Sequence, residues 1–220
     1  MSRVYILVEG QTEEAFVDEV MVGPYAATGV YLTPIIVNTS AGHKGGLTSY
    51  SKVKPQIDRL CKQDIGAYVS TFFDYYALPT DFPGHATLGL LGAVNAAIKV
   101  AHLEQKLGAA IAHQNFIPNL MLHEFEALLF TDVEAFAEWT DDDTVLDPLR
   151  QVRLNTAPED INDSVQTAPS KRILSAIKGY QKTVHGPLIA ASIGLDAMRK
   201  ACPHFHSWLT KLDGLRPLQA

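Results

Sequence analysis

The sequence predicts an α/β fold in which helices flank a parallel sheet of about four strands, followed by a helical C-terminal extension. Short apolar runs rich in β-branched and aromatic residues alternate with longer helix-like segments. The runs are almost continuously apolar, which is typical of parallel strands buried on both faces. After Thr131 the strand-like runs stop, and helix-forming segments separated by Pro and Gly follow.

The predicted strands, in order, are VYILV, YLTPIIV, AYVSTFF and NFIPNLML. The helix-like segments that follow them are TEEAFVDEVM, LTSYSKVKPQIDRLCK, LLGAVNAAIKVAHLEQKL and EFEALLF. This alternation indicates βαβ units around a parallel sheet. We therefore assign residues 1–132 to an α/β domain and residues 133–220 to a helical extension packed on it, and we expect the two to form one structural unit.

Composition restricts the class of protein. The chain has 220 residues, of which 47% are hydrophobic and 19% charged, as in ordinary globular proteins. A net charge of −6 argues against nucleic-acid binding through overall charge, although it leaves room for a local basic groove. The two cysteines, Cys61 and Cys202, support neither a disulfide framework nor a zinc site.

No secretory signal is recognised at the N-terminus, and every apolar run is shorter than the roughly 20 residues that span a bilayer. The sequence therefore predicts a cytoplasmic protein with no membrane partner.

Acidic residues follow three of the predicted strands. Glu9 follows the first strand, Asp74 follows the third, and His123, Glu124 and Glu126 lie at or just past the end of the fourth. In an open parallel sheet these ends line the binding crevice. Several carboxylates in one crevice repel each other, and a hard cation such as Mg²⁺ or Mn²⁺ relieves that repulsion. The pattern predicts a divalent-metal site.

Neighbouring residues receive other interpretations. Glu13 and Glu14 suit the positive N-terminal end of the first helix, so we interpret them as helix charges. Of Glu124 and Glu126, at most one is expected to face the crevice with Glu9. His123 is interpreted as a residue that orients its neighbours, together with Glu124, rather than as a metal ligand.

The motifs VEGQTEE and FFD resemble the two motifs of the toprim domain, the metal-binding module of topoisomerases, primases and the overcoming-lysogenization-defect nucleases. In that family a Glu follows the first strand in an EG turn, and an Asp-x-Asp pair follows the third. Glu9 and Gly10 match the turn, and Asp74 matches the first aspartate. Tyr76 replaces the second aspartate, and Asp81 lies further along the loop.

A longer pattern is similar to a bacterial family, domain-of-unknown-function family 4276. It comprises VEGQTEE, FFDYYALPTDFPG, LHEFEALLF, GYQKTVHGP and CPHFHSWL, and covers nearly the whole chain. The resemblance implies a toprim-like, Rossmann-like fold and a place beside ATPases of bacterial defence systems. A related aromatic-Glu pattern in toprim-like defence proteins favours Glu126 over Glu124 as the site residue.

Basic and aromatic residues supply candidates for substrate contact. Lys44 lies in the glycine-rich stretch SAGHKGGLTSYSK, which we interpret either as a phosphate-binding loop or as a plain solvent loop. Lys171 and Arg172 would extend a basic edge toward the crevice. Tyr76 would stack on a base, as aromatic residues do in strand-binding grooves, or close the top of the core.

The expected function is therefore a Mg²⁺-dependent nuclease that cleaves DNA or RNA. Glu9, Asp74 and Glu126 would hold the metal, Lys182 and His185 would be auxiliary catalytic residues, and Glu9 is also a candidate general acid or base. A solvated helix end is the alternative for Lys182 and His185. A non-catalytic partner of an ATPase and a small-substrate phosphatase are the alternative functions, and a homodimer would give an acidic chain a shared groove.

Overall fold

A computed structural model describes residues 1–40, 43–44, 47–76, 78–161 and 167–218. Its main sheet is parallel, and three long strands stand in the order β2 (Val30–Ile36), β1 (Ser2–Val8) and β5 (Ala67–Asp74). Two short strands, β6 (Phe116–Ile117) and β7 (Leu120–Met121), both pair with β5. A separate antiparallel pair is formed by β3 (Asn38–Ser40) and β4 (His43–Lys44).

The helices connect and cover these strands. Before β5 they are α1 (Gln11–Phe16), continued through a π-helical turn (Val17–Met21) into α2 (Val22–Ala27), and α3 (Tyr50–Gln63). A 3₁₀ helix (His85–Leu91) and α4 (Ala96–Ile111) follow β5. After β7 come 3₁₀ segments at Phe125–Thr131, Val133–Trp139, Asp143–Leu146 and Pro158–Asp160, and helices α5 (Asp147–Asn155), α6 (Pro169–Ala176), α7 (Lys182–Ile193), α8 (Leu195–Ala201) and α9 (Pro203–Asp213).

The predicted α/β class is confirmed, and the predicted fourth strand is divided into β6 and β7. Pro118 lies between the two pieces, and its ring nitrogen has no hydrogen to donate to the sheet. Asn119 and Thr71 replace the missing ladder bonds. The Thr71 hydroxyl donates to the Asn119 carbonyl at 2.7 Å, and the Asn119 side-chain amide donates to the Thr71 carbonyl at 3.0 Å.

Both faces of the sheet are covered by apolar side chains. Alternation along β1 sends Val4, Ile6 and Val8 to one face and Leu7 to the other. The first face carries α1 and the C-terminal helices, and the second face carries α3 and α4. The helical extension therefore shares a core with the sheet.

Buried polar bonds tie the last helix to this core. The Trp208 indole N–H, on α9, donates to the Ser70 hydroxyl in β5 at 3.0 Å, and both residues are almost fully buried. The Tyr25 hydroxyl donates to the Leu209 carbonyl at 3.2 Å. Within the described parts of the chain, no helix has the length and apolar character needed to cross a bilayer.

Candidate functional site

The site lies at the carboxyl end of the sheet, where β1 and β5 end side by side. Glu9 comes directly after β1, and Asp74 is the last residue of β5. The Asp74 backbone N–H donates to Glu9 Oε1 at 2.8 Å, and the Leu47 N–H donates to Glu9 Oε2 at 3.3 Å. Glu9 thus joins two strand ends to the segment that precedes α3.

Asp74 in turn holds the chain that follows β7. Its Oδ1 accepts a hydrogen bond of 3.1 Å from the Phe125 N–H. Just before Phe125, His123 adopts a left-handed backbone conformation with φ of 67°, which is uncommon outside glycine. This turn leads the chain from β7 into the 3₁₀ segment that carries Glu126.

Glu126 is fully buried and forms an ion pair with the first residue of α7. Lys182 Nζ lies 3.1 Å from Glu126 Oε2, and the Lys182 side chain is 39% exposed. Apart from this ion pair, neither oxygen of Glu126 has a polar partner among the described residues. A buried carboxylate in this condition attracts a cation or a proton.

Glu13 is a site residue that the sequence reasoning missed. Its side chain is buried, and its charge raises the pKa values of Glu9 and Asp74. The available signal was helical spacing, because Phe16 and Val17, three and four residues later, are completely buried. That spacing places Glu13 on the inward face of α1.

Burial, reinforced by the neighbouring carboxylates, raises the pKa values of three members of the cluster. Burial, followed by the charge of Glu13, raises the pKa of Glu9 to about 7, against hydrogen bonds from the Asp74 and Leu47 N–H groups. Burial and the charges of Glu9 and Glu13 raise the pKa of Asp74 well above its usual range. Burial raises the pKa of Glu126 to about 7, although Lys182 opposes the shift.

Lys182 is the cation that faces this cluster. Burial alone would lower its pKa, but the charges of Glu126, Asp74 and Glu13 outweigh burial and raise it overall. Lys182 therefore remains protonated near neutral pH. Among the described residues one ammonium group faces four carboxylates, so this part of the cluster retains an excess of negative charge when all four are ionised.

These residues fit a hard divalent cation by their chemistry. All the donors are carboxylate oxygens, and those of Glu126 have no hydrogen-bond partner in the described chain. As they stand, the described residues do not gather three His, Cys, Asp or Glu side chains around one point that would hold an ion. Ion binding would therefore require the carboxylate side chains to adjust.

The other predicted residues occupy varied positions. Glu124 Oε2 accepts from the Ser170 N–H at the start of α6 at 3.1 Å, so this side chain anchors α6. Its charge also raises the pKa of Glu126.

On α6, Lys171 is exposed, and the Arg172 guanidinium donates to the Thr167 carbonyl at 2.7 Å. The side chain of Lys44 lies outside the described residues.

The contacts of His185 are with residues outside the carboxylate cluster. Its Nδ1 accepts from the Gln181 N–H at 3.0 Å, and its ring packs against Trp139 and Tyr180. Lys182, three residues earlier, is the member of the predicted pair that meets Glu126. The two side chains therefore have different surroundings.

Asp81 does not take the place of a second aspartate in the site. Its carboxylate accepts from the Ser49 hydroxyl at 2.7 Å and from the Tyr50 and Ser51 N–H groups at 2.9 and 3.1 Å. Asp81 thus caps the N-terminus of α3. The Tyr76 N–H donates to the His123 carbonyl at 3.0 Å, so the pairing between β5 and the chain at β7 continues beyond Asp74.

Solved structures of similar fold include C-terminal regions of two OLD proteins. The region from Burkholderia pseudomallei is 14% identical, with 96% of this chain and 97% of that chain covered and a TM-score of 0.47. The region from Xanthomonas campestris pv. campestris, phased with platinum, is 17% identical, with 96% and 95% covered and a TM-score of 0.39. No curated protein matches the sequence.

A family model matches residues 8–213, which include the strand ends, the carboxylates and α7. The match extends over most of the described helices as well as the sheet. The chain therefore belongs to the family described as "Domain of unknown function (DUF4276)".

Proposed function

We propose that this chain is a toprim-like nuclease that requires Mg²⁺ or Mn²⁺ and cleaves phosphodiester bonds in DNA or RNA within a bacterial defence module. The observation that carries the proposal is the 2.8 Å hydrogen bond from the Asp74 N–H to Glu9 Oε1. It aligns carboxylates from two neighbouring strand ends in one crevice, where open α/β sheets bind their ligands.

Glu9, Asp74 and Glu126 are the proposed metal-holding residues, and Glu13 adds a fourth carboxylate beside them. When bound, the cation would neutralise these charges and polarise the phosphate. The oxygen-only donor set and the pKa values near 7 of Glu9 and Glu126 support this assignment, because a site that shares its carboxylates with protons readily exchanges them for a cation.

The residues of the chain supply the remaining chemistry. Alternatively, Glu9 would stand free of the cation, and its raised pKa would then suit it to take a proton from an attacking water or to return one to the leaving oxygen. The Lys182 ammonium would stabilise the negative charge that develops on the phosphate. Phosphoryl transfer depends mainly on such positioning and charge stabilisation.

Substrate contacts are proposed for Lys44, Tyr76, Lys171 and Arg172. His185 is proposed as an auxiliary residue that would contact the substrate outside the carboxylate cluster, through its Nε2. A small-substrate phosphatase would use the same carboxylates without these outer contacts. Cleavage of oligonucleotides in preference to small phosphate esters would therefore favour the nuclease.

The test compares Glu9→Gln and Asp74→Asn with Glu14→Gln, which removes an acidic charge from α1 outside the cluster. Calorimetric titration of Mg²⁺ and Mn²⁺ into each protein is followed by incubation with mixed DNA and RNA. We expect the first two variants to lose metal binding and cleavage while retaining the fold, and Glu14→Gln to behave as wild type. Cleavage that persists in both Glu9→Gln and Asp74→Asn would overturn the site assignment.

A non-catalytic partner of a defence ATPase is the second candidate. It is favoured by the absence of a ready-formed metal cluster among the described side chains and by the Lys182 ammonium that already faces the carboxylates. In that case Glu9→Gln would still bind a partner ATPase, and surface changes on the C-terminal helices would abolish binding. Co-purification of the two proteins separates these outcomes.

A further inference from the structure

A small cavity lies immediately beyond the carboxylate cluster. Its volume is about 260 Å³, and it is lined by Tyr75, Tyr76, Leu78, His85 and Leu88. This is slightly below the roughly 300 Å³ at which pockets for drug-sized ligands begin, so the cavity suits one planar ring system. Neither the metal-binding nor the proton-transfer roles proposed above use it.

The lining selects for a flat, uncharged ligand. Three of the five lining side chains are rings, two are leucines, and none of the five is a carboxylate, a lysine or an arginine. Aromatic rings of this kind stack on nucleobases regardless of sequence. The tyrosine hydroxyls and the His85 ring nitrogens provide groups that form hydrogen bonds with base edges.

The cavity adjoins the proposed reaction centre because Tyr75 and Tyr76 follow Asp74 without interruption. The Tyr75 N–H donates to the Met121 carbonyl at 2.9 Å, and the Tyr76 N–H donates to the His123 carbonyl at 3.0 Å. Both residues therefore continue the pairing between β5 and the chain at β7. Tyr75 packs with the α3 and α4 face of the sheet, whereas Glu126 and Lys182 lie toward α7. A ligand that crosses the end of β5 would therefore place a base on one side and its phosphate on the other.

We propose that this cavity binds one unpaired nucleobase beside the phosphate that is cleaved, so that the substrate is single-stranded nucleic acid or an extruded nucleotide. The inference rests on the proposed nuclease function, and it specifies the substrate class. A paired base is not available to the cavity, because entry would require it to leave the duplex stack. Base stacking would also let an acidic protein bind nucleic acid without relying on attraction to the phosphate charges.

Fluorescence anisotropy of labelled hexanucleotides tests the proposal in the Glu9→Gln background, in which cleavage is expected to be lost. We compare Tyr76→Ala with Tyr76→Phe, which keeps the ring, and add Leu88→Trp, which enlarges another side chain of the lining. The probes are a single strand, its duplex and a hexamer of abasic sugar phosphates. Circular dichroism confirms that each variant is folded.

We expect the single strand to bind more tightly than the duplex. Tyr76→Ala and Leu88→Trp should weaken its binding by about tenfold, whereas Tyr76→Phe should not. The abasic hexamer should bind weakly and show no difference among the variants. Equal single-strand binding by Tyr76→Ala and Tyr76→Phe, or equal binding of base-bearing and abasic strands, would overturn the base pocket.

Binding of free nucleosides tests the base pocket independently of nuclease activity. Nucleosides should quench the tyrosine fluorescence of wild type but not that of Leu88→Trp. This result would support the base pocket even if wild type cleaved no nucleic acid, and the nuclease proposal alone would then fail. Cleavage of duplex and single strand at equal rates, unchanged in Tyr76→Ala, would support the nuclease and overturn the pocket. Absence of both oligonucleotide and nucleoside binding would also overturn the pocket.

Discussion

The ammonium nitrogen of Lys182 lies 3.1 Å from Oε2 of Glu126, so the N-terminus of α7 is joined to the buried segment that follows β7. Lys182→Met would leave the buried carboxylate without its counter-charge. We expect a loss of roughly 1–3 kcal/mol in unfolding free energy, discounted for the partial exposure of the lysine. The loss should increase as pH rises through about 7, where Glu126 ionises.

The double variant Lys182→Met with Glu126→Gln is the control for that prediction. An uncharged amide no longer needs the ammonium, so the double variant should recover most of the lost stability at pH 8. Urea unfolding of the four proteins forms a double-mutant cycle. Additive effects of the two substitutions would mean that the pair is not coupled.

Glu9 should make the apo protein less stable as pH rises. Its pKa is near 4.5 in the unfolded chain and about 7 in the folded chain, so the folded state binds more protons between these values. The contribution of Glu9 to stability is therefore fully present below about 4.5 and is lost as pH rises to about 7. Glu9→Gln should gain on the order of 1–3 kcal/mol over wild type at pH 8 and nothing at pH 4.

Thermal unfolding in chelator across this pH range checks the prediction. An identical pH dependence for wild type and Glu9→Gln would contradict it. Excess Mg²⁺ should reverse the order of stability at pH 8, since only wild type would bind the ion through both strand ends.

Glu13 and Glu14 form a matched pair for testing the missed site residue. Glu13 is buried among the carboxylates, whereas Glu14 is partly exposed on the same helix. Glu13→Gln should weaken Mn²⁺ affinity by about 10- to 100-fold, and Glu14→Gln should leave it within about twofold, because only Glu13 faces the cluster. Calorimetric titration provides the measurement, and equal affinities would remove Glu13 from the site.

The Trp208 indole depends on one buried acceptor in β5. Ser70→Ala would leave the indole N–H buried without a partner, at a cost of about 1–3 kcal/mol. Adding Trp208→Phe to Ser70→Ala should cost less than the sum of the two single changes. Denaturant unfolding followed by far-ultraviolet circular dichroism measures all three, and strict additivity would contradict the coupling.

Sequence patterns predict the sheet well because buried parallel strands have a strong local signature. The runs that form β1 and β5 are mostly apolar, and an acidic residue stands just past the end of β1 (Glu9) and at the end of β5 (Asp74). The division of the fourth strand depends on Pro118, which can be recognised from the sequence alone. The hydrogen bonds that replace the missing ladder bond, however, join Thr71 and Asn119, which are 48 positions apart. Such long-range bonds leave no periodic signal in the sequence.

The site was less predictable, because charge spacing alone does not reveal which side chains face each other. Glu13 has the spacing of an inward residue and also the position of a helix charge, and burial decides between them. Lys182 and His185 are three residues apart, yet only Lys182 contacts Glu126. Their different environments arise from Trp139 and Tyr180, which surround the imidazole.

The hydrogen bond between Glu9 and Asp74 joins residues 65 positions apart, and Lys182 joins them from still further along the chain. During synthesis the first carboxylate leaves the ribosome long before its partners. The ion pair of Glu126 therefore cannot form until α7 has emerged and docked, because domains complete their long-range contacts only when the whole unit is available. A product truncated before α7 would keep the carboxylates and lose Lys182, the cation that faces them in the described part of the chain, so the charge balance of the cluster is completed only late in synthesis.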